Sequence, residues 1–218
     1  MKSKIHEYQN KILNMSNKIA VFAFAVALLT TSCKKEDKTE VVVEPTPEVT
    51  GLQIITDSTK VNWTAFKTTE KVAVGGSFKS IELKDIKTGE TPEEILEGAA
   101  FSIPVSSLFT DNADRDSKLK TIFFGTLKNT ELLSGTINFR EGKCYMTLTM
   151  NDVTKQIVTE YTFENKLFTL TSTLNVEEFG GEKAIAAINT ACLELHKGKD
   201  GVSKTWNLVD IKGSVLFQ

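Results

Sequence analysis

Few side chains in this 218-residue sequence are chemically equipped to act on another molecule. The thiols are Cys33, Cys144 and Cys192, and the imidazoles are His6 and His196. Cys33 stands in a distinctive setting. Lys2, Lys4, Lys11 and Lys18 precede an uninterrupted apolar run from Ile19 to Leu29, and Thr30-Thr31-Ser32 leads into the cysteine. The run is shorter than the roughly 20 residues that span a bilayer but suits the core of an export signal. The small residues before Cys33 resemble a lipobox, although Thr30 stands where leucine is usual. We therefore expect residues 1–32 to be a lipoprotein signal peptide, with Met1 or Met15 as its start, and Cys33 to carry the lipid. Acyl chains at Cys33 would anchor the chain at about 0.8 kcal/mol per buried methylene.

The other reactive groups offer little for catalysis. His196 lies near the end of a predicted helix, where a cation offsets the helix dipole. Glu93-Glu94 and Glu177-Glu178 are adjacent in sequence, so neither pair can face itself as an acid and base, and both read as solvated helix starts. Two cysteines and one histidine do not fill a zinc site. No catalytic residue and no metal site is expected. Cys144 and Cys192 fall on apolar faces and are readable either as a disulfide, which an oxidising compartment permits, or as small buried hydrophobes. In Asp114-Arg115-Asp116, Arg115 is readable as an intrahelical ion-pair or cap partner, or as a ligand for an anionic headgroup.

The elements that must position these groups are mostly strands. Residues 33–50 contain Glu44-Pro45-Thr46-Pro47-Glu48 and show no amphipathic period, which predicts a solvated tether. At about 3.1 Å per residue, that tether would reach roughly 50 Å. From residue 51 the dominant period is two. Cys144, Met146, Leu148 and Met150 alternate with Tyr145, Thr147 and Thr149, and Phe168, Leu170 and Leu174 alternate with threonines. Further strands are expected at Val61–Phe66, Val72–Leu83, Ala100–Val105, Leu132–Phe139, Gln156–Phe163 and Trp206–Phe217, for a total of about eight. Glu141-Gly142-Lys143, Asn151-Asp152 and Glu164-Asn165-Lys166 read as hairpin turns. One helix is expected from Asp111 or Asn112 to about Phe124, ended by Gly125, and a second from Gly181 to Leu195. The whole predicts an all-β fold over residues 51–218, an eight-stranded antiparallel barrel with two short helices. A two-sheet sandwich is the competing arrangement. The Met146, Leu148, Met150, Phe168, Leu170 and Leu174 faces would fill a sandwich core or line a barrel pocket.

Composition narrows the partners. Beyond Cys33 the chain carries 22 basic and 27 acidic residues, and from residue 51 the balance is 19 to 22. An acidic chain is a poor partner for nucleic acid and for anionic headgroups at a membrane surface.

Several stretches resemble one family. Lys60-Val61-Asn62-Trp63-Thr64 followed by Gly76-Ser77-Phe78 is similar to the opening strands of the YceI-like, polyisoprenoid-binding proteins. The runs Ile103 to Leu108, Asn112 to Leu119 and Phe123-Phe124 are similar to that family's strand-to-helix signature. Gly198 to Trp206 resembles the ending of a lipoprotein branch. Relatives often carry a histidine before the Gly-x-Phe, where this chain has Val74 and Gly75. The resemblance implies a lipocalin-like barrel that holds a long isoprenoid chain or isoprenoid quinone and performs no catalysis. It implies that Trp63, Phe78, Met146, Leu148, Met150, Phe168, Leu170, Leu174 and Trp206 touch an apolar lipid ligand. The expected place is the outer membrane, anchored through Cys33, on the periplasmic side or the cell surface. The alternative is a surface interaction or stress-response module whose barrel is filled by its own side chains.

Overall fold

β-Branched and aromatic residues alternate with polar ones through most of residues 51–218, the part of the chain that the computed structural model describes. The signal peptide, Cys33 and the 33–50 tether lie outside the described residues. The strands are β1 (Ile54–Lys67), β2 (Val72–Phe78), β3 (Glu82–Lys84), β4 (Ala100–Pro104), β5 (Leu108–Phe109), β6 (Leu132–Arg140), β7 (Lys143–Met150), β8 (Val153–Glu164), β9 (Leu167–Asn175) and β10 (Thr205–Phe217). They form one antiparallel sheet in the order β3-β4-β6-β7-β8-β9-β10-β1-β2-β5. The sheet curls into a half-barrel rather than splitting into two layers.

Turn chemistry fixes the meander from β6 to β9. Glu141-Gly142, Asn151-Asp152 and Asn165-Lys166 all have positive φ at both positions, the type I′ geometry that suits two-residue hairpins. Asn151 also ties its turn to the β9–β10 connection, because its side-chain amide donates to the Phe179 carbonyl at 2.7 Å. First and last strands then pair: β1 runs against β10 from Ile54↔Phe217 to Lys67↔Thr205.

Three expectations need correction. The sheet has ten strands rather than eight. Val72–Leu83 is not one strand, because the chain leaves β2 after Phe78 and crosses to the opposite edge of the sheet to form β3. It crosses back between β4 and the two-residue β5, through a 3₁₀ turn at Val105–Ser107. The two edges are therefore joined by crossing chain, with the Lys79 amide bonded to the Ser107 carbonyl at 2.9 Å, and not by a ladder. Third, helix α1 (Pro92–Leu96) adds to the two helices expected, at the Glu93-Glu94 pair read as a helix start. Thr91 caps it, Glu94 reaches back to the Thr91 amide, and Pro92 occupies the first turn. The Glu90 and Thr91 amides hold the Glu94 carboxyl below its ordinary range. The Glu93-Glu94 pair thus opens a helix.

Helix α2 (Ala113–Lys118) is capped by Asn112, whose side chain accepts from the Arg115 amide at 2.9 Å. It continues as a π-helix over Leu119–Phe124, and Gly125 keeps an ordinary right-handed φ of −63° instead of stopping it. Helix α3 (Glu182–Ala191) is shorter than expected. It gives way at Cys192 to a 3₁₀ turn at Glu194–His196.

Strand register assigns these helices to opposite ends. Lys67, Thr205, Asn175, Met150, Val153 and Leu132 lie at one end, with the connections that carry α2 and α3. Ile54, Phe217, Glu164, Arg140 and Lys84 lie at the other, with α1 between β3 and β4. Ile95 and Leu96 of α1 are each 1% exposed, so α1 closes its end of the barrel with buried apolar side chains.

Gly135 is crowded by both of its ladder neighbours, β4 and β7. A Cβ there would strike the Thr147 carbonyl oxygen and lie 2.6 Å from Phe101 Cζ. Its φ is ordinary, so the constraint is steric. Gly135→Ala is expected to cost about 1–3 kcal/mol as an overpacking change. A urea midpoint equal to wild type would show that the strands can part there without strain.

Candidate ligand-binding site

The inner face of the half-barrel is built by alternation. Along β7 every second residue points inward, and Cys144, Met146, Leu148 and Met150 are all buried. Phe168 and Leu170 repeat the pattern on β9. These side chains do not fill the interior. They surround a cavity of about 450 Å³. Protein interiors rarely hold voids larger than a water molecule, and this volume falls in the range of small-molecule sites.

All nine residues singled out from the sequence border this cavity: Trp63, Phe78, Met146, Leu148, Met150, Phe168, Leu170, Leu174 and Trp206. Trp63 is placed by a glycine across the ladder. It pairs with Gly76, where a Cβ would come within 2.6 Å of the indole Cε2, so only a bare backbone lets the ring lie there. The Trp63 Nε1 is buried without a hydrogen-bond partner. Trp206 is fixed differently. Its Nε1 donates to the Thr68 carbonyl at 2.8 Å, and the Lys204 ammonium sits 3.8 Å from its ring centre. Phe168 forms an aromatic cluster with Tyr161 and Phe139, at ring separations of 5.6 and 6.2 Å.

The sequence profile of the YceI-like domain matches residues 52–213. The chain belongs to the YceI-like domain family. Two solved structures show the same fold as this YceI-like barrel. One is described as the structure of a polyisoprenoid binding domain from Saccharophagus degradans implicated in plant cell wall breakdown. It shares 12% identity at a TM-score of 0.58, over 77% of this chain and 98% of the other. The other is Burkholderia cenocepacia BcnA, at 15% identity and a TM-score of 0.50, over 75% and 98%. No curated protein sequence matches the chain.

Part of the lining of the YceI-like cavity was not foreseen. Phe101 and Ile103 of β4, Leu96 of α1, Leu119 and Phe123 of the π-helix, and Ile188 and Cys192 of the α3 region all border it. A signal existed for some of them. Phe101 and Ile103 alternate, and Ala184, Ile185, Ile188, Cys192 and Leu195 share one face in sequence, but nothing local says which hollow that face covers.

Polar groups gather at the end of the cavity that carries α2 and α3. Lys118 donates to Asp114 at 2.7 Å, which raises its pKa. Lys67 donates to the Leu195 carbonyl at 3.0 Å. His196 bonds Thr205 Oγ1 at 2.7 Å through Nδ1, and burial, then the nearby Lys67, holds its imidazole below the ordinary value. The Gly198-to-Trp206 stretch is tied to the β1–β2 turn by Glu70, which accepts from the Lys199 amide at 2.8 Å. That bond leads the contacts that lower the Glu70 carboxyl to about 2.

Cys144 and Cys192 are both buried free thiols, and burial raises the pKa of Cys144. Among the described residues no three metal-ligating side chains converge.

Proposed function

We propose that this chain is an envelope lipoprotein whose barrel holds one long apolar chain for storage or transport. The chain would be an isoprenoid or the tail of an isoprenoid quinone. One observation carries the reading: the inner faces of β1, β2, β7, β9 and β10 surround a cavity of about 450 Å³ instead of meeting. Family membership supports it, as does the shared fold with a domain described as polyisoprenoid binding. Each methylene moved from water into such a lining gains about 0.8 kcal/mol, so a slender chain gains in proportion to the length it inserts. Methionines at 146 and 150 add unbranched, polarizable walls that adapt to a flexible guest.

Titrating the purified barrel with N-phenyl-1-naphthylamine tests this. Its fluorescence is expected to rise with saturable binding and to fall when an unlabelled isoprenoid alcohol is added. A linear, undisplaceable signal would mean that the hollow takes no guest, as in a self-filled interaction module.

The anchoring half of the proposal rests on Cys33. Cys33→Ala is expected to move the protein from the membrane to the soluble fraction, because an eleven-residue apolar run does not anchor by itself. Retention of the variant in the membrane fraction would remove the lipid anchor from the account.

A further inference from the structure

The outer surface at one end of this barrel holds apolar side chains in water. Leu195 is 60% exposed, Val202 52%, Leu193 49% and Val72, at the start of β2, 46%. All four stand on one knot of chain, built from the β1–β2 turn and the 193–206 stretch. The Thr68 amide donates to the Lys204 carbonyl at 2.9 Å, the Gly198 amide to the Val202 carbonyl at 2.9 Å, and the Lys204 amide to the His196 carbonyl at 3.1 Å. The Asn189 side chain of α3 accepts from the Ser203 and Thr205 hydroxyls at 3.2 and 3.0 Å. The exposed side chains are therefore carried on fixed backbone. Apolar groups grouped on a surface in this way mark an interaction site.

The knot is also basic. Residues 67–72 and 193–206 hold five lysines and three carboxylates, in a domain where acids outnumber bases by 22 to 19. All three carboxylates are engaged: Glu70 by the Lys199 amide, Asp200 by the Val202 amide at 3.0 Å, and Glu194 by the Lys197 ammonium. Lys71 and Lys204 stand 5.4 and 3.8 Å from the Trp206 ring centre. Neither they nor Lys199 form an ion pair among the described residues. A tryptophan flanked by ammonium groups, beside exposed leucines and valines, has the chemistry of a bilayer interface. There an indole lies at headgroup level, aliphatic side chains enter the acyl boundary, and lysine stems reach back to the phosphates.

We propose that this knot docks the barrel onto the surface of an anionic bilayer. Leu193, Leu195, Val202 and Val72 enter the headgroup–acyl boundary, and Lys71, Lys199 and Lys204 meet the lipid phosphates. Charge complementarity selects this occupant, because a negative leaflet attracts each lysine held near it. The net acidity of the domain does not oppose the contact. Attraction fades within a Debye length, about 8 Å at physiological ionic strength, so the charges nearest the leaflet decide it. β1 begins at the other end of the barrel, so the patch lies away from where the segment bearing Cys33 joins. The contact depends neither on that anchor nor on a guest in the cavity. It is also reversible, since even a single myristoyl chain binds a membrane only marginally, and it leaves Cys33→Ala in the soluble fraction after dilution.

The test is co-sedimentation of the Cys33→Ala chain, purified from the soluble fraction, with sucrose-loaded vesicles. Binding to mixed phosphatidylglycerol–phosphatidylcholine vesicles is expected to exceed binding to phosphatidylcholine alone by roughly tenfold or more, and to weaken as salt is raised. Leu193→Asp with Val202→Asp should lower it by at least about tenfold. Neither side chain borders the cavity, so circular dichroism and N-phenyl-1-naphthylamine binding should stay as in the parent chain. Lys199→Glu should shrink the preference for the anionic vesicles and leave the weaker binding to phosphatidylcholine in place. No binding to either vesicle, or binding indifferent to the paired aspartates, would overturn the docking surface. Equal binding to both vesicles at all salt concentrations would overturn the role of the lysines. A concentration-dependent dimer in sedimentation velocity, dissociated by Val202→Asp, would assign the patch to a second copy of the chain and overturn the bilayer reading.

Discussion

Leu148→Lys is expected to abolish binding of an apolar guest while leaving a folded barrel. Leu148 lies mid-strand on β7, 6% exposed, opposite Gly135 on one neighbour and Lys155 on the other, and its side chain borders the cavity. An ammonium there has no described carboxylate facing it across either ladder. It must draw water into the hollow or give up its proton, because burying an unpaired ion costs several kcal/mol. The hollow makes the water route available, which is why folding should survive. A wet cavity offers a hydrocarbon chain little gain over bulk water, so affinity should fall by at least about 100-fold, near 2.7 kcal/mol. Leu148→Met, a volume-conserving change, should bind nearly as wild type. Circular dichroism establishes folding, and N-phenyl-1-naphthylamine titration reads binding. A folded Leu148→Lys protein with wild-type affinity would show that the guest does not lie against β7.

Phe168→Ala should produce the largest loss of stability. Phe168 is 1% exposed, stacks on Tyr161 and meets Phe139 edge-on, in the half of the barrel that α1 closes. Truncation removes a buried ring and leaves two aromatic partners facing a void. The expected cost is about 3–5 kcal/mol, against a total of about 5–15 for a typical domain. A urea melt should show a lowered midpoint with an unchanged slope. A cost under about 1 kcal/mol would mean that the cluster collapses into the cavity, and that the hollow continues past the ring instead of ending on it.

The parts of this fold that could be read from sequence are those where one local period determines the outcome. β7 is the clearest case. Four apolar residues at alternate positions, bounded by Glu141-Gly142 and Asn151-Asp152, admit only one buried face, and the same reasoning found β9. Six of the nine lining residues were legible for that reason, since a strand that faces inward must face whatever lies inside; Trp63, Phe78 and Trp206 were legible only through the family motifs that contain them. Whether the inside was solid or hollow was not legible, because that depends on how far β7 stands from β1 and β2 across the barrel.

The misreadings have a common origin. Val72 to Leu83 keeps its alternation while the chain swings from one sheet edge to the other, and no glycine or proline marks the crossing. Helix α1 is five residues long, too short for a helical period, although Thr91-Pro92-Glu93-Glu94 contains a complete start signal. The π-helix at Leu119–Phe124 has no sequence mark of its own. Arg115 was placed correctly on a helix and as a partner of its cap, while Lys118 took the Asp114 carboxylate.

Mass spectrometry of the organic extract from natively purified protein tests the central claim most directly. The account predicts one long-chain lipid per barrel in wild type, and its loss from folded Leu148→Lys. An extract without lipid, or the same trace lipids in both proteins, would contradict it.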